Sequence, residues 1–558
     1  MIHFRHDDDE LPLRILVVGE FTAGSNHPLY RRRAMPVEPD TFAAVMAAHH
    51  AEVEAPVPNH LTDGSPARVW LQFRDLYDLL PEGIAVQMPA LAAACKRRDA
   101  LLRLRAVSGR QLVEDALRSD ATRPRLIHEL GPAPADLVAY LLDEGSALPR
   151  WIEYRQLDAA FDQLRDQLDL RDRDALLALV ALLWSLLADP TPPDEDRESS
   201  PVHILRIIKE IDRRINAQLN TLLHAPEVQR LETAWRSLKY LVDTIDFEAR
   251  IAVDILDASK PALLEDLRSC SLSVEDAALF KILRFKSTPY NLVCSAHTFD
   301  PVGDDLEILA GMAAICERTL VPLLTNASPT LLDLPGFAGL AALTAAPQTS
   351  ATAPRYAEWR AFQARSSARF VALCLPRFLL RAPYGEHDDD FRTLFIRFRE
   401  YTGEHEDPRL WGPASLTLAS QVADAFARNR RTRAISPLEA RPSQALALAL
   451  AELGLVALVA SPEQPLPMAA RAATLHDILL LSRLTGRLSQ LHPGVLSDPS
   501  VAANLEANVN EWLEQHASRR RAATFSFLPP TSRQDSYTAF RLTITAGDEL
   551  LHFDGRIP

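Results

Sequence analysis

The order of apolar and polar positions divides the chain into elements before any composition is counted. Leu13 to Phe21 (LRILVVGEF) is an almost unbroken apolar run ending in a turn around Thr22 to Asn26, the pattern of a strand buried on both faces. After a proline-rich stretch, Thr41 to His50 has helical spacing, and Pro81 to Leu104 predicts one or two further helices. Residues 111 to 189 read as mainly helical, interrupted at Pro132, Pro134 and Pro149. Ile204, Ile207, Ile208, Ile211, Ile215, Leu219 and Leu222 then recur on one helical face. Ser200 can cap that helix, and Pro201 suits its first position, where no N–H is needed. Pro226 ends or kinks it, and a second helix follows from Glu227 to Val242.

Beyond that point strand and helix patterns alternate. Strands are expected at Ala249 to Asp254, Asn291 to Ala296, Val321 to Thr325 and Arg369 to Leu375. Helices are expected at Lys260 to Arg268, Asp304 to Arg318 and Arg355 to Ala364. Such alternation predicts an α/β fold, with helices covering a largely parallel sheet. Two apolar runs, Ala175 to Ala188 and Leu446 to Ala460, are shorter than a membrane-spanning helix of about 20 residues and are expected as buried core helices. From Thr524 onward the chain turns β-rich, with strands at Thr524 to Leu528, Thr538 to Thr545 and Leu551 to Ile557. In the second of these, Phe540, Leu542 and Ile544 face one way and polar neighbours the other.

Length and composition sharpen this picture. The 558 residues exceed the usual span of one core, so two to four domains are expected. The sharpest boundary is Pro190 to Pro201 (PTPPDEDRESSP), an extended linker by composition. Softer joints fall at Glu386 to Asp390 and near Asn429 to Pro442. A net charge of -14 argues against a dedicated nucleic-acid binder, which needs a basic face to neutralise phosphates. Five scattered cysteines (Cys95, Cys270, Cys294, Cys316, Cys374) form no CxxC and suit buried thiols in a reducing cytoplasm. The opening MIHFRHDDDELP is too polar for a signal peptide, so a cytoplasmic protein without stable membrane insertion is expected.

The sequence contains no phosphate loop, no GxGxxG after a strand, no GxSxG elbow and no HExxH pair. Acidic clusters at His6 to Glu10, His387 to Asp390 and His405 to Asp407 are consecutive rather than spaced to converge, so solvated loops are expected there and no metal site. Arg31 to Arg33 and Arg519 to Arg521 could grip an acidic partner or stand in solvated loops. The terminal strands could add to an exposed sheet edge or fold as an ordinary hairpin on their own core.

The residues also resemble a known family. Leu13 to Phe21 followed by Pro28-Leu29-Tyr30-Arg31-Arg32-Arg33 is similar to the opening of the small subunit of the type VI secretion sheath. Phe42, Val45, Met46, Val57-Pro58-Asn59, Leu71-Gln72-Phe73, Pro81-Glu82 and Gln87-Met88-Pro89-Ala90-Leu91 with Arg97 and Arg98 continue that pattern in order. Glu210-Ile211-Asp212, Gln218-Leu219-Asn220, Leu223 to Glu227 and Leu231 to Leu238, with Trp235, resemble signature helices of the large subunit. Ala327 to Leu331, with Pro329, and Leu375 to Leu379, with Pro376 and Arg377, then Arg381 to Gly385, with Pro383 and Tyr384, resemble two further motifs. After Gly385 the chain is shorter than that family's pattern, and Trp411-Gly412-Pro413-Ala414 replaces its usual helix start.

This resemblance implies small-subunit-like and large-subunit-like segments fused in one chain. The expected layout is a small-subunit-like domain at 1–110, a helical connector and linker at 111–200, a large-subunit-like region at 201–385, and a shortened region with terminal strands at 386–558. The implied function is a structural protomer of a contractile sheath that polymerises around an inner tube. Its partners would be further copies of itself, an inner-tube protein, baseplate components and an AAA+ recycling ATPase for which no residue here is assigned. Phe525, Phe527, Phe540, Leu542 and Ile544 are the candidates for strands exchanged between protomers. No catalytic residue and no cofactor is expected. A related phage-tail-like injection system, or an α/β enzyme with an unrecognised site, are the alternatives.

Overall fold

The apolar run at the start of the chain becomes β1 (Leu13–Gly19), and its partners lie more than 200 residues away. Further strands are β2 (Met35–Pro36), β3 (Ala51–Pro58), β4 (Pro66–Phe73), β5 (Ile251–Asp257), β6 (Leu292–Phe299) and β7 (Leu323–Ala327). They continue as β8 (Val371–Leu375), β9 (Phe378–Arg381), β10 (Leu410–Gly412), β11 (Leu455–Ala457), β12 (Ala523–Phe527), β13 (Thr538–Ala546) and β14 (Glu549–Ile557). The computed structural model describes residues 12–24, 27–105, 118, 122–143, 145–148, 172–187, 200–270, 273–284, 289–343, 353–385, 398–401, 407–427, 437–459, 473–489, 499–516, 522–529, 538–546 and 549–557. The chain forms two compact units: residues 1–49, 233–381 and 410–558 in the first, and 50–232 and 382–409 in the second.

The first unit is built on a seven-stranded sheet in the order β11-β8-β7-β6-β1-β5-β2. All neighbours are parallel except β2, which runs antiparallel on the edge, where Pro36 needs no ladder donor. Strand β1 pairs with β5 along its whole length and with β6 from Ile15 to Val18. Leu13, Ile15, Leu16, Val17 and Val18 are buried, as an internal parallel strand covered on both faces requires. Arg14 is accommodated because its guanidinium donates to Asp254 at 2.6 Å and sits 5.1 Å from the Tyr290 ring. Tyr290 donates to the same carboxylate, and burial together with the Asp254 charge pushes its phenol pKa upward. Asp257 at the end of β5 accepts from Phe21 N, Thr22 N and Thr22 Oγ1, which fixes the turn after β1.

Strand β6 carries a register irregularity between Cys294 and Thr298. The Asn326 side chain repairs it by donating to the Ser295 and His297 carbonyls at 3.1 and 3.0 Å and accepting from Ser415 N at 2.8 Å. Buried carbonyls left without a donor would each be costly, so a buried amide here is structural. His297 is buried beside this repair, with Nε2 2.7 Å from the Ala258 carbonyl, and burial lowers its pKa to about 4.

The strands expected between residues 249 and 375 are present, displaced by up to three residues. Helices Lys260–Ser269 and Gly303–Thr319 also match the spacing. The expectation for Leu446 to Ala460 is corrected. Helix Gln444–Glu452 stops, Gly454 adopts a φ of 76°, and β11 follows beside β8. Glycine tolerates that left-handed turn and lets one apolar run serve as helix and then strand.

The second unit contains the antiparallel hairpin β3–β4, which apolar periodicity had not singled out as strands. Its helices are Pro81–Gln87, Pro89–Leu104, Thr122–Leu130, Leu137–Leu142, Arg173–Leu187 and Ser200–Leu223. Leu177 to Leu183 are buried, as expected for the first apolar run. Arg97, 1% exposed, ties three segments together by pairing with Asp174 at 2.8 Å and donating to the carbonyls of Leu141 and Asp143. Pro226 begins a new helix, Pro226–Thr244, after the preceding one ends at Leu223. The linker Pro190 to Ser199 lies outside the described residues.

Candidate assembly interface

The terminal strands form a three-stranded antiparallel sheet in the order β12-β13-β14, paired within the chain. Of the strand candidates, Phe525, Phe540, Leu542 and Ile544 are buried, and Phe527 is half-buried. Phe525 meets Phe527 edge-on at 5.0 Å and lies tilted against Phe540 at 5.4 Å, so these side chains pack against one another within the sheet's own core. Phe553 of β14 meets Phe370 edge-on at 6.0 Å. Gly555 permits close approach, since a Cβ there would lie 2.2 Å from the Phe540 ring.

What the sheet offers a partner is therefore backbone. Leu528 N bonds to Ala539 O and Thr545 N to Ala522 O, so the odd-numbered residues of β13 face β12 and the even-numbered ones face β14. With Phe540 opposite Gly555 and Leu542 opposite Phe553, the ladder groups of Leu550, His552 and Asp554 point away from β13. Among the described residues these outward groups have no backbone partner. Residues 552–556 also line a cleft of about 640 Å³, with Arg284, Glu317, Arg318, Arg369 and Phe370 on its other sides. Exposed side chains Arg541 and Asp554 pair across the sheet at 2.6 and 2.8 Å.

The motif residues do not converge on one site. Trp235 is fully buried, donates its indole N–H to the Phe21 carbonyl at 3.0 Å, and meets Phe21, Phe42 and His49 edge-on. It thereby joins the first segment to the second. Pro329 opens a short 3-10 turn capped by Ser328. Pro376 follows a cis peptide bond, and Arg377 forms a two-pronged pair with Glu439 at 2.7 and 2.9 Å. Pro383 and Tyr384 belong to the other unit, where Tyr384 N donates to the buried Glu400 carboxylate.

Of the basic triplets, Arg32 holds an acid of its own chain, contacting the Asp257 carboxylate at 3.4 Å and its carbonyl at 2.8 Å. Arg31 lies over the Tyr30 ring. Arg519 to Arg521, His6 to Glu10, His387 to Asp390, and His405 with Glu406 lie outside the described residues. All five cysteines are free; Cys95, Cys294, Cys316 and Cys374 are buried, and burial pushes the thiols of Cys95, Cys294 and Cys316 up to about 12. Among the described residues no acidic, histidine or cysteine cluster is arranged to hold a metal, and no helix is long and apolar enough to cross a membrane.

Two segments of the chain match known families. Residues 205–461 match the VipB family, described as EvpB/VC_A0108, tail sheath N-terminal domain. Residues 5–131 match a family described as Type VI secretion system, VipA, VC_A0107 or Hcp2. The type VI secretion system sheath protein TssC1 of Pseudomonas aeruginosa is 30% identical over 227 residues, which is 39% of this chain and 45% of that relative. The match thus spans less than half of the relative's length.

Proposed function

Since this chain belongs to the type VI secretion sheath proteins, with VipA-like and VipB-like segments fused in one polypeptide, we propose that it is a structural protomer of a contractile sheath. Copies polymerise around an inner tube in the cytoplasm and contract to drive it outward, and the chain performs no catalysis. The observation that carries this reading is the terminal sheet. Its β14 edge has outward ladder groups without backbone partners among the described residues, next to a cleft. An extended segment of a second copy pairs there, because backbone bonds supply affinity while alternate side chains set register. Such a link keeps a lattice connected while its units rotate and slide. Fusion supports the same reading, since it holds the two segments at high effective concentration.

The inner-tube protein and baseplate components are the further partners on this account. Electron microscopy of the purified full chain tests it. Hollow tubules that disappear when residues 522–558 are deleted are expected. A chain that remains monomeric at high concentration, or tubules that survive the deletion, would contradict it.

A further inference from the structure

The two edges of the terminal sheet are not equivalent. The Asn510 side chain accepts from Phe525 N at 2.7 Å and donates to Phe525 O at 3.0 Å. One amide thus makes both bonds that a neighbouring strand would make to that residue. One turn earlier on the same helix, Pro499–His516, the Glu506 carboxylate accepts from Phe527 N at 3.2 Å. Phe525 and Phe527 are the residues whose ladder groups point away from β13, since their neighbours Leu528 and Ala522 bond to it. The helix is held in place by Leu505, Val509, Trp512 and Leu513, all buried. Asn510 also donates to the Glu506 carbonyl at 2.9 Å, which orients its amide.

We infer that Asn510 and Glu506 are edge guards that close β12 and so direct strand addition to β14. Exposed edges pair indiscriminately unless something occupies their donors and acceptors. An apolar helix face could cover β12 but would leave its ladder groups unsatisfied. Asparagine, with two N–H donors and a carbonyl acceptor on one planar amide, satisfies them. The inference rests on the sheath reading for the identity of the added strand, a segment of a second copy. The guard itself is a property of the single chain.

Two readouts on the full chain separate these. Hydrogen exchange on unassembled protein should be about tenfold faster at Phe525 and Phe527 in Asn510→Ala/Glu506→Ala than in the parent, the size of one lost hydrogen bond. Glu506→Gln keeps an acceptor and should leave Phe527 protected. Neither variant touches the apolar face that docks the helix, so the fold is retained. In assembling protein, a photo-crosslinking benzophenone residue replaces either His552 or Ser526. Capture of a second copy is expected from position 552 in the parent, and from position 526 only when the guards are removed. Capture from position 526 in the parent, or unchanged exchange in the double variant, overturns the guard. A chain that stays monomeric removes the sheath reading but leaves the exchange result to decide the guard.

Discussion

The central and terminal sheets use strands in opposite ways. In the central sheet, β1 is saturated: it has a neighbour on each side and both faces are covered, and its partners come from the other segment of the fusion. In the terminal sheet, three strands adjacent in sequence pair with one another, one face is exposed, and one edge is closed by side chains rather than by backbone. A strand that is saturated contributes to folding and cannot be exchanged without unfolding its unit. A strand at an edge can acquire a partner without cost to what already holds it. On the proposed reading, the first sheet supplies cohesion and the second supplies assembly.

The comparison breaks hardest at β1. Val17 is fully buried, so Val17→Asp should place an unpaired charge in the core and cost about 3–5 kcal/mol. Loss of the cooperative urea transition is the expected result; a folded variant with an unchanged midpoint would show that β1 is dispensable. Phe540→Ala should cost about 3 kcal/mol, but locally. Amides of β12 to β14 should exchange faster while those of β1 and β5 keep their protection. Uniform loss across both sheets would mean they are one cooperative element.

A pH effect sharpens the contrast further. Folded His297 remains neutral down to about pH 4, whereas in the unfolded chain an imidazole takes up its proton near 6.5. The unfolded state binds more protons between those values, so stability falls as pH drops through that window. The wild-type chain should lose about 2 kcal/mol through this residue between about pH 7 and about pH 5. His297→Gln should flatten the pH dependence of the denaturation midpoint, and an equal slope in both proteins would refute the assignment.

The sequence announced both sheets, though unequally. Strand β1 was legible because LRILVVG has no polar alternation, and β13 because Phe540, Leu542 and Ile544 alternate strictly. The partner of β1 was not legible, since Arg14 and Asp254 are 240 residues apart and no local period links them. Hairpin β3–β4 escaped because Glu52, Glu54, Pro56 and Pro58 occupy its outward positions and mask the inward Ala51, Val53, Ala55 and Val57. Gly454 was hidden within an alanine–leucine run whose composition favours helix throughout. Of the five strand candidates, Phe540, Leu542 and Ile544 were legible by their alternation, and the structure buries these three and Phe525 within the chain itself. Asn510 and Glu506 gave no signal, because a polar residue on a helix face has meaning only once the strand beside it is known.

Hydrogen exchange of the full chain before and after assembly tests the division of labour most directly. The outward amides of Leu550, His552 and Asp554 should become protected on assembly while β1 amides, already slow, stay unchanged. Protection that leaves β14 untouched, or that changes at β1, would contradict the account.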